Sequence, residues 1–239
     1  MKVKDNFIGK SKMADLARYC VTDFVRSISG RLPSGTVLLD AGAGECAYKE
    51  LFSHCDYKAI DLAVGDDQWN YGNLDYVAPL DDMPIEDGVF DAVLCTQVLE
   101  HLQRPSECVK EMYRVLKPGG TLFLSAPMSQ SEHQTPYDFY RYTSFGLRFI
   151  CEDAGFKEVD IIPMGGMFYR WAYELPRAFE LLPSTGFRQG ALDLKKLHYL
   201  PVKAAFFFFI RIIQIGLLGL DRFDKNSNDP WGWKVIARK

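Results

Sequence analysis

The run Asp40-Ala41-Gly42-Ala43-Gly44 sets two glycines directly behind an acidic residue that closes a short aliphatic stretch. Glycine lets the chain turn sharply and lets a ligand approach the backbone with no Cβ in the way. Gly42, Gly44 and Ala47 also satisfy the dinucleotide pattern G-x-G-x-x-A. Asp61, closing the next apolar stretch, suits a ribose diol under either reading. Asp40 separates the two. A further negative charge gains nothing beside a pyrophosphate, whereas a ligand carrying an ammonium and a sulfonium gains by charge complementarity.

Two other groupings carry chemistry. Glu100-His101 follows the apolar run 90–95, and His133 to Thr143 reads His-Gln-Thr-Pro-Tyr-Asp-Phe-Tyr-Arg-Tyr-Thr. His101 and His133 are candidate general bases, needed only where an acceptor must lose a proton. His133, Tyr137, Asp138 and Arg141 offer hydrogen bonds and charge for reading an acceptor. The plainer alternatives are a His101 bonded to loop backbone, and an Asp138–Arg141 pair that caps the helix beginning near Thr143. The linear sequence shows no dense His/Cys/carboxylate cluster of the kind that holds a metal, so none is expected.

The elements that must position these residues follow from hydropathy patterning. Helices are expected over 10–28, 45–54, 106–116 and 143–154, and strands over 36–40, 57–62, 74–78, 90–95, 121–126 and 157–163, with a last strand over 231–237. Strands alternating with helices give an α/β, doubly wound, mostly parallel seven-stranded sheet. In such sheets ligands bind beyond the carboxyl ends of the strands, where the strand order reverses. The chain divides into a core over 1–164, a helical insertion over 165–230 and a returning strand over 231–239. Inside the insertion, Phe168, Trp171, Ala172, Leu175, Ala178, Phe179 and Leu182 recur at helical spacing, with a bend expected at Pro176. Val202 to Leu220 is interrupted only by Lys203, Arg211 and Gln214. A helix that apolar must be buried against the preceding helix, a second subunit or a bilayer surface. Arg211 near its middle argues against a membrane span.

Composition bounds the function. The 239 residues are 48% hydrophobic and 25% charged, as in ordinary globular proteins, which excludes disordered and collagenous classes. With 28 Lys+Arg against 31 Asp+Glu the net charge is −3, so no nucleic-acid partner is expected. Six scattered cysteines without a C-x-x-C pair, and a polar N-terminus without an apolar core, fit a cytoplasmic protein.

The punctuation from Met83-Pro84 through Phe90-Asp91-Ala92-Val93 and Val98-Leu99-Glu100-His101 to Arg114-Val115-Leu116-Lys117-Pro118-Gly119-Gly120 completes the pattern. From about Val37 to Ile162 the chain resembles the class I S-adenosylmethionine-dependent methyltransferases of the type 11 group. The resemblance implies a Rossmann-like fold with S-adenosyl-L-methionine as cofactor. It assigns Asp40, Gly42 and Gly44 to the methionine part, Asp61 to the ribose, Asp82 and Met83 to the adenine, and Thr96 and Gln97 to the methyl-transfer pocket. A subset of the family resembles the His-x-x-Pro-x-Asp-x-x-Arg-Tyr-Thr pattern, which implies acceptor contacts by His133, Tyr137, Asp138 and Arg141. The sequence departs from the family at Cys46, where a third glycine is usual. It departs again at Pro79, in place of an acidic residue that meets the adenine amino group; Asp81, Asp82 or a backbone carbonyl takes that role.

The reading is therefore a methyltransferase acting on a small-molecule or lipid/saccharide-linked acceptor by in-line displacement. A homodimer or peripheral membrane contact is expected through 168–220, the latter at the inner face of a membrane. The alternatives are a catalytically silent binding protein of the same fold and, behind it, a nicotinamide-dependent oxidoreductase.

Overall fold

A computed structural model describes residues 15–65, 69–181, 187–188, 191–192, 200–224 and 228–239, with side chains undescribed between 179 and 200. It divides into two compact units, Met1–Met164 with Gly232–Lys239, and Gly165–Trp231.

In the first unit, helix α1 (Leu16–Ser29) starts where the Asp15 side chain accepts the Arg18 amide, a standard N-cap, and ends before Gly30. The 10–14 portion expected for this helix lies outside the described residues. Strands β1 (Val37–Ala41), β2 (Asp56–Asp61), β3 (Tyr76–Val77) and β4 (Phe90–Thr96) pair in parallel, in the order β3-β2-β1-β4. Leu38, Leu39, Val93, Leu94 and Cys95 have no exposed surface, because a parallel sheet covered on both faces needs near-continuous apolar runs. Helix α2 (Pro105–Val115) opens on a proline, which loses nothing at a first helical position, and leads into β5 (Leu116–Pro127). Helix α3 (Ser144–Ala154) is capped by Thr143 Oγ1, accepting from the Gly146 amide, and closed by left-handed Gly155. Strand β6 (Glu158–Met164) follows, and β9 (Gly232–Arg238) runs antiparallel between β5 and β6.

The seven-stranded order β3-β2-β1-β4-β5-β9-β6 reverses direction between β1 and β4. The carboxyl ends of those two strands, at Ala41 and Thr96, mark the switch point where a doubly wound sheet binds ligands.

Three sequence expectations need correction here. Residues 45–54 form turns and one short 3-10 segment, Lys49–Phe52, instead of a helix, because Cys46 takes a left-handed φ of 56° and breaks the run. The third strand shrinks to two residues, and β5 begins at Leu116, its pairing to β4 shifting register between Phe90 and Ala92.

In the second unit, α4 (Met167–Glu174) runs into a 3-10 stretch, Leu175–Leu181, so the chain tightens before Pro176 instead of continuing as one bent α-helix. Leu182 and the loop after it fall outside the described residues, apart from the short antiparallel pair β7 (Phe187–Arg188) and β8 (Ala191–Leu192). Helix α5 (Leu200–Asp221) packs on α4 through its polar side. Gln214 is 2% exposed and donates to the Ala172 carbonyl at 2.8 Å, Arg211 donates to Gln214, and Ile210 is buried beside them. Asp221 accepts the Gly166 and Tyr169 amides and Asp224 accepts that of Met167, so the end of α5 caps α4, whose own N-cap is a glycine. Phe208 (65% exposed) and Ile212 (69%) point outward, as do Val202, Phe207, Phe209 and Ile215. Of the three kinds of burial open to this helix, packing on α4 takes up Ile210 and Gln214 and, among the described residues, leaves these apolar side chains uncovered.

Candidate functional site

Beyond β1 the backbone turns at Gly42 (φ 81°) and Gly44 (φ 51°). A Cβ on Gly42 would lie 2.4 Å from a Val98 methyl carbon, so the turn and the segment after β4 fit together only with glycine there. A Cβ on Gly44 would meet the Trp69 ring at 3.1 Å. The amides of Gly42 and Ala43 donate to the Ile60 carbonyl, and that of Gly44 to Asp61 Oδ2 at 2.9 Å. Asp61 Oδ1 accepts the Ala63 amide at 2.8 Å. Asp61 thus sets the turn against the end of β2. Each oxygen keeps lone-pair capacity for a further donor, since an ionised carboxylate has about four acceptor sites.

Asp40 is 3% exposed and takes the Tyr57 hydroxyl on Oδ2 at 2.5 Å. Burial pushes its carboxyl up to about 7, the Tyr57 bond pulls it back in part, and nearby Asp61 pushes it further up. Two carboxyl groups, Asp40 and Asp61, thus stand close enough at the turn to influence each other, and a cation entering there would favour the ionised form of Asp40. That suits a ligand bearing ammonium and sulfonium groups. It does not suit a pyrophosphate.

At the end of β4, Thr96 is half-buried and Gln97 adopts a left-handed φ of 55°. Its amide donates to the Ser125 carbonyl, and Nε2 to Ser125 Oγ at 3.2 Å. A non-glycine residue held in this region beside a binding turn stores strain of a kind that clusters at functional sites. Met83 is 4% exposed and packs into the hydrophobic core, while Asp82 is exposed. The Met83 amide and carbonyl are held by Glu111 and Arg114 of α2, and Asp81 pairs with Arg104. Asp82 therefore keeps its side chain toward solvent, and Asp81 is already engaged.

The 3-10 turn Leu99–His101 carries the next group. The backbone carbonyl of Glu100 accepts the amides of Phe139 and Tyr140, docking the loop that contains His133. The Glu100 side chain is fully buried and neither of its oxygens accepts a hydrogen bond; burial pushes its carboxyl up to about 8. His101 Nδ1 donates to the Tyr137 carbonyl at 2.5 Å and His133 Nδ1 to the Ser131 carbonyl at 3.0 Å. The two rings meet edge to face at 4.7 Å between centroids. Burial lowers the proton affinity of His101.

Asp138 and Arg141 do pair, bidentately, at 2.7 and 2.8 Å. They do not cap the following helix, which Thr143 caps by itself. Arg141 instead grips the carbonyls of Gln130 and Ser131, and Asp138 accepts the His133 amide at 2.9 Å. The pair holds the loop that presents His133. The Arg141 guanidinium keeps the Asp138 carboxyl well below the usual carboxylate range. The Tyr137 ring is exposed, and the contribution of that residue is its carbonyl.

Residues 39–124 match the family described as a methyltransferase domain. Over that stretch, about a third of the chain, it is similar to the class I S-adenosylmethionine-dependent methyltransferases. A ubiquinone biosynthesis O-methyltransferase of Xanthomonas axonopodis pv. citri is 36% identical over 110 residues, 41% of this chain and 46% of that one. A tRNA (carboxymethyluridine(34)-5-O)-methyltransferase of Arabidopsis thaliana is 31% identical over 109 residues, 42% of this chain and 26% of that one. The chain thus spans less than half the length of either relative. A solved S-adenosylmethionine-dependent methyltransferase from Archaeoglobus fulgidus superposes with a TM-score of 0.57 at 17% identity, covering 99% of this chain and 97% of that one, which shows a shared fold.

Within the matched segment, the structure gathers Asp40, Gly42, Gly44 and Asp61 at the carboxyl ends of β1 and β2, and sets Thr96 and Gln97 at the end of β4. Sequence reasoning missed Tyr57, Val98 and Trp69, which hold or cover the turn. It also missed the joining of Glu100, His101 and His133, whose ligating atoms lie within 4.8 Å of one another. His133 is 32 residues beyond His101, so spacing alone gave no signal; the Glu100-His101 dipeptide was the one available clue.

Proposed function

We propose that this chain transfers the methyl group of S-adenosylmethionine to a small or lipid-linked acceptor at the cytoplasmic surface of a membrane. The observation that carries the transfer is the Gly44–Asp61–Ala63 bonding, which holds a carboxylate at the switch point with acceptor capacity to spare. Two ribose hydroxyls donating to Asp61, and the buried charge of Asp40 facing a cationic ligand, account for why this glycine turn is acidic. When bound, the cofactor supplies a methyl group on a sulfonium, whose displacement leaves a neutral thioether. The residues of the chain need only align the acceptor along that axis and exclude water, a contribution of several kcal/mol. His101 Nε2 is buried, so of the two candidate bases the partly exposed His133, its Nδ1 already donating, is the one left to take a proton leaving the acceptor.

The outward face of α5 supports the lipid-linked acceptor. Its exposed positions from Pro201 to Leu220 carry no charged side chain, and Pro201–Asp221 is long and apolar enough by length and composition to cross a membrane. With Arg211 and Gln214 packed against α4, we read the helix as lying in a lipid surface. The ubiquinone-biosynthesis relative is consistent with such an acceptor. The net charge of −3 weighs against a tRNA substrate like that of the Arabidopsis relative.

The test is incubation of the full chain with methyl-labelled S-adenosylmethionine and separated lipid, saccharide and tRNA fractions of a cell extract. Label entering the lipid fraction supports the reading, and label entering only tRNA overturns the acceptor class.

A further inference from the structure

We propose that Glu100, His101 and His133 form a binding site for a divalent first-row transition-metal ion.

The hydrogen bonds fix which atoms are available. A carbonyl oxygen can only accept, so the bonds from His101 Nδ1 to Tyr137 and from His133 Nδ1 to Ser131 place the ring proton on Nδ1 in both histidines. Each Nε2 of the neutral ring is then left with a lone pair. Ligating histidines are usually oriented in this way, by a backbone carbonyl or carboxylate on the other ring nitrogen. His101 Nε2 is buried and has no hydrogen-bond partner. It faces Glu100 Oε1 at 3.9 Å. Glu100 is itself fully buried with both oxygens free of hydrogen bonds. The unpartnered Nε2 and the unpartnered carboxyl oxygens thus lie together inside the protein with no hydrogen bond between them, a costly arrangement that a shared proton or a bound cation relieves. The three ligating atoms lie within 4.8 Å of one another. An ion at about 2.0–2.2 Å from each needs them to draw in, which side-chain rotation allows.

The surroundings favour ligation over a simple ion pair. Arg141, whose charge is felt at Glu100, is committed to Asp138, which also steadies His133 by accepting its amide. The turn Leu99–His101 and the docked loop are pinned together by the Glu100 carbonyl and by Tyr140 Oη on the Gln103 carbonyl. Two imidazoles and one carboxylate suit zinc, iron(II), cobalt or manganese, and three protein ligands leave coordination positions open for a substrate oxygen or water. The set begins three residues beyond Gln97. A use for those open positions, holding an acceptor hydroxyl and making it more acidic, rests on the methyl-transfer reading; the site itself does not.

The test uses the full chain after treatment with a chelator. Zn2+, Mn2+ and Co2+ are titrated singly by calorimetry, with visible absorption recorded for Co2+, and S-adenosylhomocysteine affinity is measured on the same samples. The expected result is one ion per chain, a cobalt spectrum shaped by nitrogen ligands, and a loss of affinity of at least about tenfold in both Glu100→Gln and His133→Ala. His133 is partly exposed, so its variant reports even where a buried change at Glu100 disturbs folding. No ion bound by the wild type, or affinity unchanged in His133→Ala, overturns the site. Ion binding without S-adenosylhomocysteine binding overturns the methyl-transfer reading alone and leaves the metal site standing.

Discussion

Replacing Asp40 by Asn removes a carboxyl that the fold holds in an unfavourable place. Asp40 is 3% exposed, and its carboxyl titrates at about 7 in the fold against 3.8 for an ordinary aspartate. Below pH 3.8 folded and unfolded chains are both protonated there, and the folded state incurs no penalty. Between 3.8 and 7 the unfolded chain ionises while the folded one keeps its proton, so stability falls as pH rises and levels off above 7. About three units at 1.36 kcal/mol each set an upper limit of roughly 4 kcal/mol. The Asn amide oxygen can still accept the Tyr57 hydroxyl, but its NH2 enters a buried site, which takes back about 1–3 kcal/mol. We expect Asp40→Asn to be more stable than the wild type by about 1–3 kcal/mol at pH 8 and to lose that advantage toward pH 4. Urea unfolding at pH 4, 6 and 8 reads this as a shift in midpoint at constant slope. The same variant should bind S-adenosylmethionine at least about tenfold more weakly, about 1.4 kcal/mol, because the cationic ligand loses its buried counter-charge. A variant less stable than the wild type at pH 8, or a stability difference independent of pH, refutes the argument.

Gly42→Ala should destabilise the domain by about 2–4 kcal/mol from left-handed strain and overpacking; Val98→Ala in the same chain should recover part of the loss, because the added Cβ falls 2.4 Å from a Val98 methyl carbon, and a double-mutant cycle checks it. Asp138→Asn should cost about 1–3 kcal/mol by leaving the partly buried Arg141 without its carboxylate, with thermal unfolding as the readout; because pairing lowers the carboxyl, wild-type stability from this pair holds above pH 3.8 and is lost on acidification below it. Phe208→Glu and Ile212→Glu should abolish liposome flotation without changing the melting temperature by more than a degree or two, since both residues project outward; binding that survives them, or a wild type that dimerises and ignores lipid, refutes membrane contact.

The sheet was legible because its strands are short buried runs with little alternation: Val93-Leu94-Cys95 and Leu38-Leu39 can only be covered on both faces. The glycine turn was legible because acid-Gly-x-Gly chemistry is local. Residues 45–54 misled because their apolar spacing is helical while Cys46 sits at a positive φ, with its thiol donating to the Asn73 carbonyl, a contact distant in sequence that propensity does not report. The outward placement of the α5 apolar side chains was hidden for a related reason. Wheel analysis finds the apolar face and leaves open what covers it, whereas Gln214 and Ala172 form a polar contact that turns it outward. The Asp138–Arg141 pair was expected, but the carbonyls of Gln130 and Ser131 that it grips lie across a loop whose path no spacing rule supplies. Glu100, His101 and His133 converge by that same loop.

Calorimetric titration of the full chain with S-adenosylhomocysteine, alongside NAD and the Asp61→Ala variant, tests the central claim most directly. The account predicts that the wild type binds S-adenosylhomocysteine and not NAD, and that Asp61→Ala weakens the binding by about 1.5–3 kcal/mol, the typical contribution of hydrogen bonds to a charged group. Preference for NAD, or equal affinity of wild type and Asp61→Ala for S-adenosylhomocysteine, would contradict it.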